Sequence, residues 1–264
     1  MRAAVLALAL GLAAAPGLAP APAGAQDPDV RAPFITTPGE VVERMLRLAG
    51  TGPSDLVVDL GSGDGRIVIE AARKFGARGL GIELDPKLVR DSRAKALEAG
   101  VAGRVTFIEG DVLLTDISQA SVVTVYLLPQ LIGRLQPRFL GELKPGTRVV
   151  SHAFYMTSWR PDRVEKMNLS QRHEGQGDQS TIYLWIVPAN ARGSWGGGDW
   201  RVRIHQNFQE IEVEAWLKGT AVKVGAARLA GDEITWEAQG ARFKGRVEGA
   251  RIVGEGLVLT REAR

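Results

Sequence analysis

The sequence predicts an α/β fold, a doubly wound and mainly parallel seven-stranded sheet, followed by a small antiparallel β domain. The apolar run VVDL at 57–60 breaks into GSGDGR, the mark of a buried parallel strand that ends in a ligand loop. Further apolar runs then alternate with amphipathic segments at the spacing of βα units until about residue 188. Beyond ANARGSWGGGD at 189–199 the pattern changes to short, closely spaced runs of period two. These shifts divide the chain into a leader at 1–25, an α/β domain at 30–190 and a β domain at 195–264.

Composition narrows the classes. With 264 residues the chain can bury a full core, and 45% hydrophobic and 24% charged residues are ordinary for a globular protein. A formal charge of +3 is small and gives little support for nucleic-acid binding unless the basic residues cluster on one face. The absence of cysteine excludes disulfides, thiolate metal sites and a cysteine nucleophile. The three histidines, His152, His173 and His205, lack HExxH spacing, so no metal site is expected.

The chain opens with Arg2, an apolar run from Ala3 to Ala15, Pro16, and Ala23-Gly24-Ala25 before Gln26. This is the pattern of a secretory signal cleaved after Ala25, and its apolar core is too short to span a bilayer. It implies an exported or periplasmic protein, with a cytoplasmic or membrane-anchored one as the alternative. Thr37, Pro38 and Glu40 read as a capping box for a helix that buries Val41, Val42, Met45, Leu46 and Ala49.

Residues 57–60 form the first strand of the sheet, and Gly61, Ser62, Gly63, Asp64 and Gly65 the loop after it. A dinucleotide fingerprint needs GxGxxG; here the third glycine comes one residue early and Arg66 takes the last position. Asp59 just before the first glycine would repel a pyrophosphate and suits a cationic amine or sulfonium. A helix over 67–75 follows, its amino end and Arg66 suited to a ligand carboxylate. The next strand, RGLGIE at 78–83, ends in Glu83, placed for ribose hydroxyls, and Asp85 and Pro86 begin a helix ended by Gly100. A third strand at 105–112 ends near Asp111, a candidate acceptor for an adenine amino group. The fourth strand, 122–129, leads into a helix over 129–143, the fifth covers 149–154, a sixth segment 163–169, and TIYLWIV at 181–187 is the seventh, with 170–178 as a hairpin loop.

The segments PFITTPGEVVERML, VVDLGSGDGRIVIEAA and GIELDPKLV occur together and in this order. They resemble the class I S-adenosylmethionine-dependent methyltransferases, and within these the protein lysine methyltransferases of the mitochondrial ATP synthase and adenine nucleotide carrier type. The resemblance covers roughly residues 34–190 and implies S-adenosyl-L-methionine as cofactor, with the seventh strand antiparallel between the fifth and sixth. It also implies a protein lysine as acceptor; a small amine, quinone or lipid precursor is the enzymatic alternative, and an exported binding module that keeps the fold is the non-enzymatic one. The NPPY-type tetrad of nucleic-acid amino methylases is absent and YLLP stands in its place, so nucleic acid is not an expected partner.

Methyl transfer needs alignment and an amine with a free lone pair, so aromatic, water-poor walls are expected around the acceptor. Tyr126, at the tip of the fourth strand, is the candidate catalytic residue facing the methyl, the alternative being a strand residue with its hydroxyl in water. His152, Phe154, Tyr155 and Trp159 follow the fifth strand and are candidates for the channel. For His152 two roles stand, a base or a packed histidine. Ser62 lacks the GxSxG context of a nucleophile. The C-terminal runs WRVRIHQ, IEVEAWL, TAVKVGAA, EITWEA, ARFKGRV and RIVGEGLVL predict a meander or half-barrel without a chemical motif.

Overall fold

A computed structural model describes residues 35–174 and 176–263; the leader at 1–25 lies outside the described residues. The described chain falls into one compact unit built on two sheets.

The first sheet uses β1 (Leu56–Leu60), β2 (Arg78–Glu83), β3 (Val105–Glu109), β4 (Val122–Val125), β5 (Arg148–His152), β6 (Arg163–His173) and β7 (Gly177–Ile186) in the order β3-β2-β1-β4-β5-β7-β6. β1 to β5 are parallel, and β7 runs antiparallel between β5 and β6, as the resemblance implied. Four helices accompany it, α1 (Gly39–Leu48), α2 (Arg66–Phe75), α3 (Pro86–Glu98) and α4 (Pro129–Glu142). α1 to α3 pack with Val57, Val105, Val122, Val150, Ile182 and Leu184 into one core, whereas α4 buries Leu131, Ile132, Leu135 and Phe139 outside that cluster. Sequence order reverses across the sheet at the β1/β4 junction, where α/β sheets open a crevice at their carboxyl ends.

The predicted start of α3 holds: the Asp85 carboxylate accepts from Lys87 N at 2.7 Å and Pro86 occupies the first turn. The predicted capping box of α1 does not form. Pro38 is the N-cap, without a side-chain cap. Thr37 Oγ1 lies instead 3.1 Å from His152 Nδ1, and Glu40 accepts from the Ser170 amide and hydroxyl. The entry segment is thus bound to β5 and β6 by the side chains that local spacing assigns to a cap.

The β6–β7 hairpin is longer than its apolar residues indicate. Most of 170–178 belongs to strands rather than to a loop, because β6 is an edge strand exposed along most of its length and carries polar residues throughout.

The second sheet is antiparallel and nine-stranded: β8 (Gly193–Gly197), β9 (Trp200–Asn207), β10 (Glu210–Leu217), β11 (Thr220–Val222), β12 (Val224–Ala230), β13 (Glu233–Ala238), β14 (Ala241–Glu248), β15 (Arg251–Gly254) and β16 (Leu257–Arg261), ordered β11-β10-β9-β8-β16-β15-β14-β13-β12. β10 also packs on β12, so the ends of the sheet curl toward each other around Trp195, Val202, Ile204, Ile234, Trp236 and Leu259. The glycine-rich 189–199, expected as a break, contains β8 in the interior of this sheet, with Trp195 fully buried. A Cβ on Gly197 would lie 2.0 Å from the Val258 carbonyl oxygen, so its glycine serves close strand packing rather than a flexible connection.

Candidate active site

At the carboxyl ends of β1, β2 and β4 the sequence places an acid, an acid and a phenol. Asp59 is 2% exposed, and its Oδ1 accepts from Thr124 Oγ1 at 2.7 Å. Burial, reinforced by the negative charges of Glu83 and Asp64, pushes its pKa up to about 7. A buried carboxyl with one neutral donor favours a cationic ligand, whose charge would restore the ionised form.

The glycine loop hangs on β2. The Gly61 and Ser62 amides both donate to the Ile82 carbonyl, and the Gly63 amide donates to Glu83 Oε2 at 2.8 Å. Glu83 Oε1 accepts from the Leu84 and Asp85 amides, so both carboxylate oxygens are fixed at the strand tip with lone pairs to spare for hydroxyl donors. Gly65 is the N-cap of α2 with φ +79°, and a Cβ there would meet Phe107 at 2.6 Å. That glycine answers a turn and a packed phenylalanine, not only the approach of a ligand.

Asp64 and Arg66 bind each other. Arg66 donates from Nε and Nη2 to the two Asp64 oxygens and from Nη1 to the Thr37 carbonyl, and Lys95 adds a 2.8 Å ion pair to Asp64. Burial pushes the Asp64 carboxyl up, but Arg66 and Lys95 outweigh it and hold it at about 2. The helix end and guanidinium expected to meet a ligand carboxylate are therefore met by Asp64, and Arg66 fastens the entry segment to the loop. Asp111 Oδ1 accepts from the Leu113 amide at 2.8 Å beyond β3, which fixes its carboxylate in the turn.

A cluster of rings stands beside this crevice. Tyr126 lies 4.2 Å from His152, 6.1 Å from Phe154 and 6.2 Å from His173, ring centre to ring centre. Its hydroxyl accepts from Gln176 Nε2 at 2.9 Å, so the alternative of a phenol held only by water does not apply. Ala153, between His152 and Phe154, has φ +66°, a conformation that costs an alanine about 1–2 kcal/mol and turns Phe154 back over Tyr126.

His152 takes the packed role. It is fully buried, its Nδ1 faces Thr37 Oγ1, and its Nε2 faces Ser180 Oγ at 2.8 Å and Gln176 Nε2 at 3.1 Å. Gln176 donates, so Nε2 accepts and Nδ1 carries the proton. Burial, with the neighbouring His173, pulls its pKa down to about 3 and keeps the ring neutral. No nitrogen is left for a substrate proton, and His152 packs against the Tyr126 ring with both nitrogens engaged. Trp159 is also removed from the channel. It is fully buried, stacks on Phe208 at 5.6 Å and donates to Gln209 Oε1, tying the loop after β5 to the β9–β10 turn.

Sequence reasoning overlooked Thr124, Gln176 and His173. Thr124 had a signal, a lone hydroxyl in the otherwise apolar strand VVTV; the other two are joined to the site only by the hairpin. Ser62 Oγ is buried with no partner among the described residues and is packed against Gly81 of β2 beside Phe107. Among the described residues no group of three or more His, Asp or Glu side chains is arranged to hold a metal, and no helix is long and apolar enough to cross a membrane.

A parallel sheet with a glycine loop at the tip of β1 and acids at the ends of β1 and β2 is the arrangement of an S-adenosylmethionine-dependent methyltransferase. The profile of the ANTKMT methyltransferase domain matches residues 59–163. The chain is 40% identical to a protein-lysine N-methyltransferase of Saccharolobus islandicus over 156 residues, 59% of this chain and 93% of that protein. It therefore belongs to the protein-lysine N-methyltransferase family. It is 35% identical to the adenine nucleotide translocase lysine N-methyltransferase of Mus musculus, over 61% of this chain and 71% of that one. With the mouse lysine N-methyltransferase named for ATP synthase the identity is 38%, and the match spans about half of each protein, 50% of this chain and 53% of the relative. A solved structure from Salinibacter ruber, described as an RNA methyltransferase in complex with S-adenosyl-L-homocysteine, is 51% identical with a TM-score of 0.53, covering 58% of this chain and 93% of that one. The matched profile ends before the nine-stranded sheet begins at Gly193.

Proposed function

We propose that this chain methylates the ε-amine of a protein lysine, with Asp59, the Gly61–Gly65 loop, Glu83 and Asp111 holding S-adenosyl-L-methionine and Tyr126 facing the acceptor. One observation carries the reading: 40% identity to a protein-lysine N-methyltransferase across 93% of its length. The cofactor supplies an electrophilic methyl on a sulfonium. Asp59 offers negative charge to the cation, Glu83 accepts from ribose hydroxyls, and Asp111 accepts from the adenine amine.

The chain's own residues then have to present a neutral amine. Neutralising a lysine at pH 7 costs roughly 4–5 kcal/mol in water. Tyr126, Phe154 and the neutral His152 make an aromatic wall that excludes water and lowers that cost. The Tyr126 oxygen, already accepting from Gln176, can accept again from the amine and orient its lone pair.

The description of the Salinibacter structure favours a second reading, RNA as acceptor. The two separate in one experiment. Undenatured lysate is incubated with the full chain and labelled donor, and the protein and RNA fractions are counted and mapped by mass spectrometry. Label on lysine side chains supports the proposal; label confined to RNA nucleotides rejects it.

A further inference from the structure

His173 keeps an unused acceptor inside the ring cluster. It ends β6, with its ring centre 6.2 Å from Tyr126 and 5.7 Å from His152. Its Nε2 lies 2.8 Å from the Thr36 carbonyl oxygen, which can only accept, so Nε2 carries the proton of the neutral ring. Nδ1 then presents a lone pair. It is buried, and no donor among the described residues reaches it. Its neighbours are satisfied: the Tyr126 hydroxyl by Gln176, and both His152 nitrogens by Thr37, Ser180 and Gln176. A buried acceptor left over in an otherwise complete network is costly unless a donor arrives from outside.

Resting on the lysine reading above, we infer that His173 is a catalytic residue whose Nδ1 accepts an N–H of the substrate ammonium and takes its proton. The substrate RNH3+ gives one proton to Nδ1, leaving RNH2 with a lone pair and His173 as imidazolium. The amine nitrogen then forms the new N–C bond as the C–S bond breaks, the bonding pair going to sulfur. The product is RNH2CH3+, and the His173 proton leaves to water. A cleft of about 670 Å³ lined by Ile35, Thr36, Glu40, Ser170, His173 and Glu174 lies beside the ring. The titratable and charged groups around the ring are Tyr126 and His152 on its inner side and Glu40, Arg172 and Glu174 along the cleft. Glu40 is engaged by Ser170, and both His152 nitrogens are occupied, so neither competes for the role.

The test uses His173→Gln in the full chain, because a glutamine amide N–H can still donate to the Thr36 carbonyl while the Nδ1 lone pair is lost. Donor affinity by calorimetry, the thermal midpoint and the rate of labelled methyl transfer to lysate lysines are measured from pH 6 to 10. Donor affinity and thermal midpoint are expected to stay at the wild-type level while the rate at pH 7 falls by roughly 100-fold. The deficit should shrink toward pH 10, where water removes the proton unaided. An unchanged rate, an equal loss at every pH, or a loss of donor affinity each overturns the assignment, the last two by showing a merely positional or structural role. If the wild-type protein labels RNA and no lysine, the lysine reading falls and this inference with it. If both proteins label lysine with the same pH profile, only the assignment of His173 falls.

Discussion

Thr124 donates its hydroxyl to the Asp59 carboxylate at 2.7 Å across the β1–β4 pair, the junction at which sequence order in the sheet reverses. The bond gives the buried acid one partner and leaves its charge uncompensated. The folded pKa of about 7 lies above the ordinary 3.8, so between these values the folded chain holds a proton that the unfolded chain has lost. The stability from this group is therefore fully present below pH 3.8 and is lost as pH rises through 7, at up to about 1.4 kcal/mol per pH unit. A cationic donor reverses the preference, so its affinity should rise through pH 7 and then level. Asp59→Asn is expected to raise the melting temperature of the ligand-free protein at pH 8 and to weaken donor binding. If donor affinity in this variant kept the wild-type pH slope, Asp59 would not be the linked group.

Glu83 does two things at once. It fixes the Gly63 amide at the tip of β2, and on the proposed reading it also accepts from the donor's hydroxyls, so Glu83→Ala would remove a loop anchor together with that acceptor. Donor binding should weaken by about 1–3 kcal/mol, the scale of charged hydrogen bonds. Titration calorimetry of the variant beside wild type checks this, and equal affinities would remove Glu83 from the donor site.

Much of the donor side was legible because its signals are local. The loop after β1, the cap at Asp85 and Pro86 and the acids at the ends of β1 and β2 are written within stretches of a few residues, and the fold sets each at a strand or helix end, although Arg66 and the amino end of α2 are taken up by Asp64. The acceptor side is assembled from segments far apart in the chain. Thr37 meets His152 across 115 positions, and Gln176 meets Tyr126 across 50, pairings that no periodicity encodes. The edge strand β6 has polar residues on both faces and so lacks the alternation that reveals β9 and β13, where Val202 with Ile204 and Ile234 with Trp236 are buried. The glycines around Trp195 gave the opposite error, since residues that signal a break elsewhere serve close strand packing in β8.

Tyr126 should matter for turnover more than for donor affinity. The acids proposed for the donor lie at the tips of β1 and β2 and in the turn after β3, whereas the Tyr126 hydroxyl is turned to Gln176 in the hairpin. An interaction made mainly in the transition state lowers the turnover rate and the specificity constant together. Tyr126→Phe is expected to slow single-turnover methylation by roughly 10-fold or more, and Tyr126→Ala further, since the ring also closes the water-poor wall. Wild-type rates in both variants would leave Tyr126 a packing residue just past β4 and move the acceptor wall to Phe154 and Tyr155.

The nine-stranded sheet should be required for the loop that carries Phe154. The sequence suggests that residues 26–190 fold alone, because they contain every strand of the first sheet. The structure supplies a physical objection to that independence. Trp159 is fully buried with its indole N–H on Gln209 and its ring on Phe208, and Gln209 Nε2 also donates to the Arg160 carbonyl. Removing residues beyond 190 strips both partners from the tryptophan and exposes it to water. A single change probes the same contact: Gln209→Ala leaves a buried indole N–H unpaired, at a cost of about 1–3 kcal/mol. Both variants should keep donor affinity, since Asp59 and Glu83 lie on other strands, while methylation falls as the segment from Phe154 to Arg160 loosens. Hydrogen exchange of residues 153–162 beside donor calorimetry separates the cases. Faster exchange there with intact donor binding supports a bracing role for the second sheet. Unchanged exchange and full turnover in Gln209→Ala, with a soluble and active 26–190 fragment, would show that the first sheet holds its acceptor loop unaided.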